Sequence, residues 1–486
     1  MCGIVGMVGS GPVNQDIYDS LGLLQHRGQD STGLATAEPN GVFHINKAKG
    51  MVREVFRTRD MRNLVGNVGL GHVRYATMGA AANEEEAQPF YVNAPYGIVL
   101  VHNGNLTNTR ELTEELFSKD RRHLNTTSDT ELLVNVLGSE LQTAIAGPDL
   151  DTAQIFEAVR RVHQRVEGSY ATIALIAGHG LLAFRDPFGI RPLIMGKRTA
   201  ANGKTEWMVA SESLVLENGD YEIVRDVAPG EAIFIDTDGV MTAQQTAEAT
   251  RLAPCSFEYV YLARPDSIMN GISVYETRLR MGDRLAATIA KHVDVSQIDV
   301  VMPIPDSSRP SAMQVARKLG IEYREGFYKN RYVGRTFIMP GQATRKKSVR
   351  QKLNAMSTEF QGKNVLLIDD SIVRGTTSKQ IIQMARDAGA KSVIFASAAP
   401  PVRFPHVYGI NMPNHNELVA HGRTIPEIAV ELGCDGLVYQ EVEDLRESIL
   451  QGTDIAELDM SCFDGNYVTG TVTDEYLEWV EKVKSS

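Results

Sequence analysis

Residues 365–378 read VLLIDDSIVRGTTS, and this stretch decides the fold of the second half of the chain. Its four opening apolar residues predict a fully buried strand of the kind found in parallel sheets. Asp369 and Asp370 follow at once, then a loop of small and hydroxyl residues, and then a helical pattern that stops at Gly389. Backbone N–H groups without partners at such a loop and helix start point at a ligand. The stretch therefore predicts an anion site after a buried strand.

The residues around this anion site favour a sugar phosphate as the ligand. No Gly-x-x-x-x-Gly-Lys-Ser/Thr run is present, which separates the loop from the nucleotide P-loop. Two carboxylates beside a phosphate cradle suit a ligand whose ribose hydroxyls or bound Mg²⁺ need oxygen acceptors. The bare pattern also fits an ordinary strand–turn–helix corner with solvated acids, which is common in α/β folds. On this stretch alone, both interpretations stay open.

Strands and helices alternate on both sides of the stretch. A buried strand is predicted over residues 299–304, followed by a helix that ends at Gly320, and a further strand is predicted over residues 392–398. This alternation implies a parallel sheet with right-handed crossovers and a ligand at the carboxyl ends of the strands. Residues 329–352 form a basic stretch between these elements, although a charge run of this kind is often only a solvated face.

The composition bounds the class of protein. At 486 residues the chain exceeds the usual size of one core, so two or three domains are expected. A net charge of −11 argues against nucleic acid as a partner, and no apolar run approaches a membrane span or a signal peptide. Four cysteines are too few and too scattered for a disulfide scaffold, so a reduced, cytoplasmic protein is expected. They are Cys2, Cys255, Cys434 and Cys462.

The first residues, MCGIVG, place a cysteine directly after the initiator Met. Removal of Met1 would leave Cys2 with both a thiol and a free α-amine. The amine has an ordinary pKa of about 7.7–8.0, which suits a base near neutral pH, and the thiol is a strong nucleophile. Taken alone, Cys2 could equally be a chance residue at a frayed terminus.

Short polar clusters downstream of Cys2 carry further candidate groups. Residues 99–105, VLVHNGN, predict an apolar strand that runs into an Asn-Gly turn. The Asn103 side chain and the Gly104 N–H are the donors that an oxyanion hole requires. Arg74 ends a strand-like run and could pair with a carboxylate, and Asp129 opens a predicted helix and could hold an ammonium group. Each cluster alone is also explained by turn chemistry.

Together these motifs resemble the class II, N-terminal-nucleophile glutamine amidotransferases. The resemblance is carried by CGIVG at 2–6, HRG at 26–28, GHVRY at 71–75, HNGN at 102–105 and SD at 128–129. It implies that Cys2 attacks the glutamine amide while its own α-amine carries the proton. The other implied roles are Asn103 and Gly104 for the oxyanion, Arg74 for the α-carboxylate, Asp129 for the α-ammonium, and Arg27 and His72 for the pocket lining.

Residues 365–378 resemble the phosphoribosylpyrophosphate (PRPP) motif of type I phosphoribosyltransferases. By that resemblance Asp369 and Asp370 hold the ribose hydroxyls and one Mg²⁺ per subunit, and Ser307 helps on the pyrophosphate and metal side. The PRPP contacts implied by the motif are Ser371, Arg374, Gly375, Thr376, Thr377 and Ser378. The basic stretch, with Lys329 and Arg335, would be a loop that closes over PRPP and excludes water.

Both halves together are similar to the glutamine PRPP amidotransferase family over nearly the whole chain. The resemblance implies two domains. An α+β N-terminal-nucleophile domain, an αββα sandwich, is expected over residues 2–240, with a connector from 241 to 254. An α/β type I phosphoribosyltransferase domain with a mostly parallel sheet and a C-terminal helical segment is expected over residues 255–486. The implied reaction converts glutamine, PRPP and water into 5-phosphoribosylamine, glutamate and pyrophosphate, the first committed step of purine synthesis.

The chain departs from one subgroup of this family, which binds a [4Fe–4S] cluster through four cysteines. Cys255 and Cys462 occupy two of those places, whereas His406 and Asp459 occupy the other two. Two thiols cannot hold the cluster, so no iron–sulfur centre is expected, and the two cysteines should behave as buried small apolar residues. Because Cys2 follows Met1 directly, no propeptide is expected either.

Two other functions stay in view. Another class II amidotransferase, such as glucosamine-6-phosphate synthase or asparagine synthetase, would share the first half but should lack the Asp pair and its loop. A PRPP-sensing regulatory protein would leave Cys2 and its polar partners unexplained. The family resemblance also implies feedback inhibition by purine nucleotides, with Lys329 and Arg331 as phosphate contacts, and a homotetramer.

Overall fold

The computed structural model describes residues 2–75, 84–145, 147, 150–330, 353–412 and 414–485. In the first half, two antiparallel sheets stack on each other. One has seven strands in the order β11-β9-β10-β1-β4-β2-β3, and the other has six in the order β13-β12-β8-β7-β6-β5. The strands are β1 (Gly3–Val8), β2 (Ser31–Ala37), β3 (Phe43–Lys49), β4 (Val68–Arg74), β5 (Phe90–Val92), β6 (Ile98–Leu106), β7 (Gly168–Ile176), β8 (Gly180–Arg185), β9 (Ile194–Thr199), β10 (Thr205–Ala210), β11 (Glu222–Asp226), β12 (Glu231–Asp236) and β13 (Met241–Gln245).

Helices cover the outer faces of both sheets. They are α1 (Asn14–Leu23), α2 (Val52–Val55), α3 (Thr58–Asn63), α4 (Thr109–Ser118), α5 (Asp129–Ala144), α6 (Thr152–Arg165) and α7 (Ser213–Asn218). The first sheet packs its outer face on α1 and α7, and the second packs its outer face on α4, α5 and α6. The expected αββα sandwich is therefore present in the first half.

The sequence of β1 shows why this strand lies inside the sandwich. Side chains of a strand alternate between its two faces. Ile4 and Val8 join the core between the two sheets, whereas Val5 and Met7 join the core under the outer helices. Apolar residues on both faces therefore fix β1 as a central strand, with β4 on one side and β10 on the other.

Two sequence-based expectations in the first half are wrong. Asn103 and Gly104 do not form a turn, because β6 continues through them to Leu106 and pairs them with Ala171 and Tyr170 of β7. Residues 241–245 do not form a connector, because they pair with β12 as the edge strand β13. The side chains of β13 are mostly exposed, which is why this strand lacks an apolar pattern. The boundary expected at residue 240 thus falls inside a hairpin.

The second half contains a five-stranded parallel sheet in the order β17-β16-β20-β21-β22. The strands of this half are β14 (Ile268–Met269), β15 (Ile272–Ser273), β16 (Val300–Pro303), β17 (Glu322–Tyr323), β18 (Phe327–Lys329), β19 (Leu353–Ala355), β20 (Asn364–Asp369), β21 (Ser392–Ser397) and β22 (Gly436–Tyr439). Its helices are α8 (Val274–His292), α9 (Arg309–Leu319), α10 (Ser357–Phe360), α11 (Thr376–Asp387), α12 (Ile425–Leu432), α13 (Val442–Leu450), α14 (Ser461–Asp464) and α15 (Asp474–Ser485).

Strand β20, which carries the first residues of the 365–378 stretch, lies at the centre of this sheet and is buried on both faces. Leu366 and Ile368 face a core that includes α8 and α9, whereas Val365 and Leu367 face a core that includes α11 and α12. The expected mostly parallel sheet is confirmed, and Asp369 ends its central strand. None of the helices in the described ranges is long and apolar enough to cross a membrane.

Candidate active site

Cys2 lies where β1 of the first sheet meets β6 of the second. Its side chain is buried, and its Sγ lies 3.9 Å from the carbonyl oxygen of Tyr75. The backbone nitrogen of Cys2 donates a hydrogen bond to Asn103 Oδ1 over 3.3 Å. Because β1 is paired on both sides, the nucleophile predicted from the sequence starts from a fixed backbone.

Asn103 is fully buried in β6, and its two amide atoms differ in what they bind. Oδ1 accepts a hydrogen bond from the backbone nitrogen of Cys2. Nδ2, the donor of the same amide group, therefore points away from that nitrogen. Among the described residues Nδ2 has no hydrogen-bond partner. Leaving a buried donor without a partner costs about 1–3 kcal/mol, so this NH₂ group is ready to donate to an oxyanion.

Gly104 lies next to Asn103 at a position where only glycine fits. Its φ is +157°, and an added Cβ would lie 2.0 Å from the carbonyl oxygen of Ser169 on β7. It would also lie 2.7 Å from His102 Nε2. A side chain here would push β6 away from β7 and displace Asn103 with it.

Arg74, at the end of β4, already has a carboxylate partner. Its Nη2 donates to Glu86 Oε2 over 2.8 Å, and both side chains are buried. The other oxygen of Glu86 accepts from Thr127 Oγ1, also over 2.8 Å. A ligand carboxylate at Arg74 would therefore have to share the guanidinium with Glu86, a residue that the sequence did not single out.

Asp129 is the first residue of α5, and Ser128, the residue before it, caps the helix. Asp129 Oδ2 accepts from the backbone N–H of Leu106 over 3.2 Å, and Oδ1 lies 3.9 Å from His102 Nδ1. The carboxylate therefore lies beside the end of β6 that carries Asn103 and Gly104. The Asp129 side chain is half-buried, and its carboxylate can accept a hydrogen bond from a cationic group.

Arg27 is held in a fully buried group of charges. Its guanidinium bonds Glu212 and Glu258, with Arg27 Nη2 lying 2.7 Å from Glu258 Oε2, and Arg191 bonds the same Glu258. Burial opposes the charge on Arg27, but Glu212 and then Glu258 raise its pKa above the ordinary value. The structure thus places Arg27 against two carboxylates of the protein, while its predicted part in glutamine binding stays a prediction.

His72 is fully buried on β4, opposite Ile4 of β1. Neither of its ring nitrogens has a hydrogen-bond partner within the described part of the chain. Burial, followed by the charge of Arg74, lowers the pKa of His72 well below its usual value. The imidazole is therefore neutral beside the predicted pocket.

In the second half, the predicted acid pair is buried at the carboxyl end of β20. Ser307 Oγ donates to Asp370 Oδ2, and Ser371 Oγ donates to Asp370 Oδ1 over 2.7 Å. Burial, and then the charge of Asp370, raises the pKa of Asp369 well above its usual value, and burial raises that of Asp370. The predicted residues Ser307, Asp369 and Asp370 are thus brought together, and the two neighbouring acids repel each other when both are charged.

The predicted phosphate cradle surrounds the N-terminus of α11. Gly375 precedes the helix with a φ of +74°, and its missing Cβ leaves room for Leu432, whose Cδ2 would lie 2.9 Å away. Thr376 and Thr377 in the first turn are exposed, whereas Ser378 is buried. The first turn of α11 therefore lies at the surface, and its first N–H groups have no partner within the helix.

The basic residues predicted to cover this site are only partly described. Lys329 ends β18, and its Nζ lies 2.9 Å from Asp306 Oδ2 in the loop that also carries Ser307. Arg374 is exposed and reaches Glu417 over 3.5 Å. Arg331, Arg335 and the rest of the predicted closing loop, residues 331–352, lie outside the described residues.

The residues compared with iron–sulfur ligands meet at one buried point. His406 Nε2 lies 2.9 Å from Asp459 Oδ2 and 3.4 Å from Cys255 Sγ. The backbone N–H of Tyr408 donates to His406 Nδ1 over 3.2 Å. His406 Nδ1 therefore accepts and Nε2 carries the proton, so Nε2 donates to Asp459 and has no lone pair for a metal. His406, Asp459 and Cys255 therefore form a buried hydrogen-bonded group with His406 at its centre.

Several residues at these sites were not found from the sequence. Glu86 belongs to the run Glu84–Glu86, which looks like an exposed acidic turn, and no motif of the sequence assigns a role to Glu212 or Glu258. Arg278 is buried in α8, and its guanidinium bonds the carbonyl oxygens of Tyr259 and Ala263. The pattern of apolar residues in the sequence does not show that these charged residues are buried. Their partners lie elsewhere in the chain and meet them only in the fold.

Comparisons with known proteins agree with the geometry. Residues 72–218 match the model of a glutamine amidotransferase domain, and residues 273–401 match that of a phosphoribosyl transferase domain. The amidophosphoribosyltransferase of Pasteurella multocida is 56% identical over 480 residues, which cover 98% of this chain and 95% of that protein. The chain belongs to the amidophosphoribosyltransferase family. The Escherichia coli amidophosphoribosyltransferase is 54% identical, with 100% of this chain and 96% of that protein covered.

A solved structure gives the same result. The glutamine PRPP amidotransferase from B. subtilis, complexed with ADP and GMP, matches with a TM-score of 0.85 at 34% identity. The match covers 97% of this chain and 98% of that one. Membership in the amidophosphoribosyltransferase family confirms the predicted family, the two-domain fold class and the enzyme class, a glutamine-dependent pentosyltransferase of the first step of purine synthesis. The two alternative functions are set aside, because this chain matches both domain models and is similar to amidophosphoribosyltransferases over nearly its whole length.

Proposed function

We propose that Cys2 releases ammonia from glutamine and that the Asp369–Asp370 site places this ammonia on PRPP. Glutamine, PRPP and water would give 5-phosphoribosylamine, glutamate and pyrophosphate. The observation that carries the proposal is the contact between Cys2 and Asn103, which brings a thiol, a backbone nitrogen and an unpaired amide donor to one buried point. Those are the parts needed to split an amide.

In the first step, the Cys2 sulfur bonds to the side-chain carbonyl carbon of glutamine. Once Met1 is removed, the α-amine of Cys2 takes the thiol proton and returns it to the leaving nitrogen, so ammonia departs when the C–N bond breaks. Asn103 Nδ2 and the Gly104 N–H stabilise the oxygen that carries the negative charge. Water then cleaves the thioester, which gives glutamate and restores the thiol.

The two charged ends of glutamine have matching groups nearby. Arg74, oriented by Glu86, binds the α-carboxylate, and Asp129 accepts from the α-ammonium. His72 lines the pocket as a neutral ring. Arg27 would line the same pocket, with its guanidinium held in place by Glu212 and Glu258.

The second site fits Mg²⁺ and a sugar phosphate. Asp369, Asp370 and Ser307 present hard oxygen ligands of the kind that Mg²⁺ prefers, and their buried like charges favour a cation. Mg²⁺ bound there with PRPP would neutralise the departing pyrophosphate. The carboxylates hold the ribose hydroxyls, and the start of α11 with Gly375 holds the 5′-phosphate. Arg374, Ser371 and the basic stretch from Lys329 through Arg335 would make the remaining PRPP contacts.

Several further properties belong to the proposal. The hydrogen-bonded set of His406, Asp459 and Cys255 supports a protein without an iron–sulfur cluster. The B. subtilis structure that carries ADP and GMP supports feedback inhibition by purine nucleotides. A homotetramer and a cytoplasmic location follow from the family resemblance. The pairing of β13 favours domain limits of 2–245 and 255–486.

The proposal is tested by stoichiometry in the purified protein. With glutamine, PRPP and Mg²⁺ present, glutamate and pyrophosphate should appear in a ratio of one to one. Removal of Mg²⁺ by a chelator should stop pyrophosphate release. Glutamate release without any pyrophosphate, under conditions where PRPP and Mg²⁺ are saturating, would overturn the proposal.

A further inference from the structure

One segment of the second domain starts at the acid pair of the PRPP site. Residues 398–409, here called the bridging segment, follow β21, which pairs in parallel with β20 up to Asp369. The first residue of the bridging segment, Ala398, donates its N–H to the carbonyl oxygen of Asp369 over 2.9 Å. The start of the segment is therefore fixed on the strand that carries the carboxylates.

The middle of the bridging segment is clamped to the C-terminal part of the chain. The N–H groups of Arg403 and Phe404 both donate to the carbonyl oxygen of Cys462, over 3.0 and 3.2 Å. His406 Nε2 donates to Asp459 Oδ2 over 2.9 Å. Backbone bonds to Cys462 and a side-chain bond to Asp459 thus both hold the segment. The hydrogen bond from Tyr408 N–H to His406 Nδ1 fixes the tautomer of His406.

The far end of the bridging segment lies against the oxyanion strand of the other domain. Asn105 Nδ2 on β6 donates to the carbonyl oxygen of Val407 over 2.9 Å. Gly409 has a φ of +94°, and a Cβ added there would lie 2.7 Å from Gly104 O and 2.9 Å from Gly104 Cα. The backbone of Gly409 therefore packs directly on the backbone of Gly104, and any larger residue must displace one of the two.

We propose that the bridging segment is a positioning element through which the phosphoribosyltransferase domain sets the geometry of the oxyanion hole in the amidotransferase domain. Gly409 and Val407 act as positioning residues: they contact Gly104 and Asn105 and do not touch substrate. An oxyanion donor must lie about 2.7–3.1 Å from the oxygen that it stabilises, so a small shift of β6 removes much of its effect. The inference rests on the proposed roles of Asn103 and Gly104.

The test compares two glycine variants that differ in what the new methyl group meets. Gly409→Ala places a Cβ against Gly104, whereas Gly452→Ala has a similar φ of +82° with nothing within 4 Å. We expect Gly409→Ala to lower kcat for glutamine hydrolysis by about tenfold or more, as weakening of an oxyanion donor does. The KM for glutamine should change by less than about twofold, because Arg74 and Asp129 stay in place. Gly452→Ala should keep both values.

Ammonium-dependent pyrophosphate release is the readout that separates positioning from misfolding. It uses only the second domain, so it should be unchanged in Gly409→Ala. Asn105→Ala, which removes the hydrogen bond to Val407, provides an independent variant and should give the same loss in kcat alone. If Gly409→Ala fails to fold, Asn105→Ala decides by the same criteria.

Three results would overturn the inference. They are a Gly409→Ala protein that hydrolyses glutamine like Gly452→Ala, a loss confined to the KM for glutamine, and an equal loss of ammonium-dependent activity. A wild-type protein that released no glutamate would remove the proposed function itself, and the inference with it. Failure of the inference can therefore be distinguished from failure of the proposed function.

Discussion

Asn103 has two tasks that its two amide atoms divide between them. Oδ1 holds the nitrogen of Cys2, and Nδ2 is the buried donor left for the oxyanion. We predict that Asn103→Ala lowers kcat for glutamine hydrolysis by about 10²–10³, the usual cost of one oxyanion-hole donor. Steady-state kinetics measures this, and ammonium-dependent pyrophosphate release serves as the control that should not change. A normal kcat would contradict the assigned role.

The buried carboxylate of Asp369 serves the proposed PRPP site but lowers the stability of the fold when it is charged. Burial and the charge of Asp370 raise its pKa well above the usual value. A carboxyl group with a raised folded-state pKa stabilises the fold below its unfolded pKa of about 3.9, and this contribution is lost as pH rises through the folded value. We predict that Asp369→Asn raises the unfolding midpoint of the ligand-free protein at pH 7 and abolishes PRPP turnover.

Thermal unfolding against pH checks this prediction in the absence of Mg²⁺ and PRPP. The difference between wild type and Asp369→Asn should grow as pH rises from about 4 towards neutrality. Glu443→Gln, at an exposed position on α13, is the control and should leave the curve unchanged. A lower midpoint for Asp369→Asn at pH 7 would mean that the carboxylate is already stabilised in the ligand-free protein.

At the scale of elements, α11 depends on the glycine that precedes it. Gly375 has a φ of +74°, a conformation that costs other residues roughly 1–2 kcal/mol, and a Cβ would also crowd Leu432 and Val419. We predict that Gly375→Ala raises the KM for PRPP about tenfold, because the N–H groups of the first turn move away from the 5′-phosphate. Gly433→Ala, with a φ of +77° and open space around it, is the matched control. Equal effects of the two variants would show that backbone strain alone is responsible.

The elements themselves were largely predictable, and the failures have physical causes. Strand β20 and helix α11 could be predicted because burial on both faces, a loop of small residues and a helical apolar pattern agree with one another. Asn103 and Gly104 were mistaken for a turn, because Asn-Gly favours turns locally. In the fold, Gly104 instead provides the space that the Ser169 carbonyl needs across the sheet. Strand β13 was missed because its mostly exposed side chains carry no apolar alternation.

The molecule as a whole is joined by a buried group of charges at the domain junction. Glu258, at the start of the second domain, bonds Arg27 and Arg191 of the first, and all three side chains are nearly inaccessible. Removing one partner of a buried ion pair leaves an uncompensated charge, which costs about 3–5 kcal/mol. We predict that Glu258→Ala lowers the free energy of unfolding by this amount. Chemical denaturation measures it.

The control for this prediction is a surface ion pair whose nitrogen and oxygen atoms lie 3.3 Å apart. Glu443→Ala breaks the pair of Glu443 with Arg446 on α13, which is solvent-exposed, and should cost at most about 1 kcal/mol. A Glu258→Ala protein as stable as Glu443→Ala would show that the junction does not depend on these charges. Neither Glu258 nor Gly409 could be assigned from the sequence, because Arg27 and Gly104, which they contact, lie more than two hundred residues away along the chain.

The central claim is that two separate sites in one chain carry the two halves of the reaction. It is tested most directly by pyrophosphate release from PRPP in Cys2→Ala, with glutamine or with ammonium as the nitrogen donor. The variant should release no pyrophosphate with glutamine and should match wild type with ammonium, while Asp370→Asn should lose both yet still hydrolyse glutamine. Glutamine-dependent release that survives in Cys2→Ala, or ammonium-dependent release that is lost with it, would contradict the account.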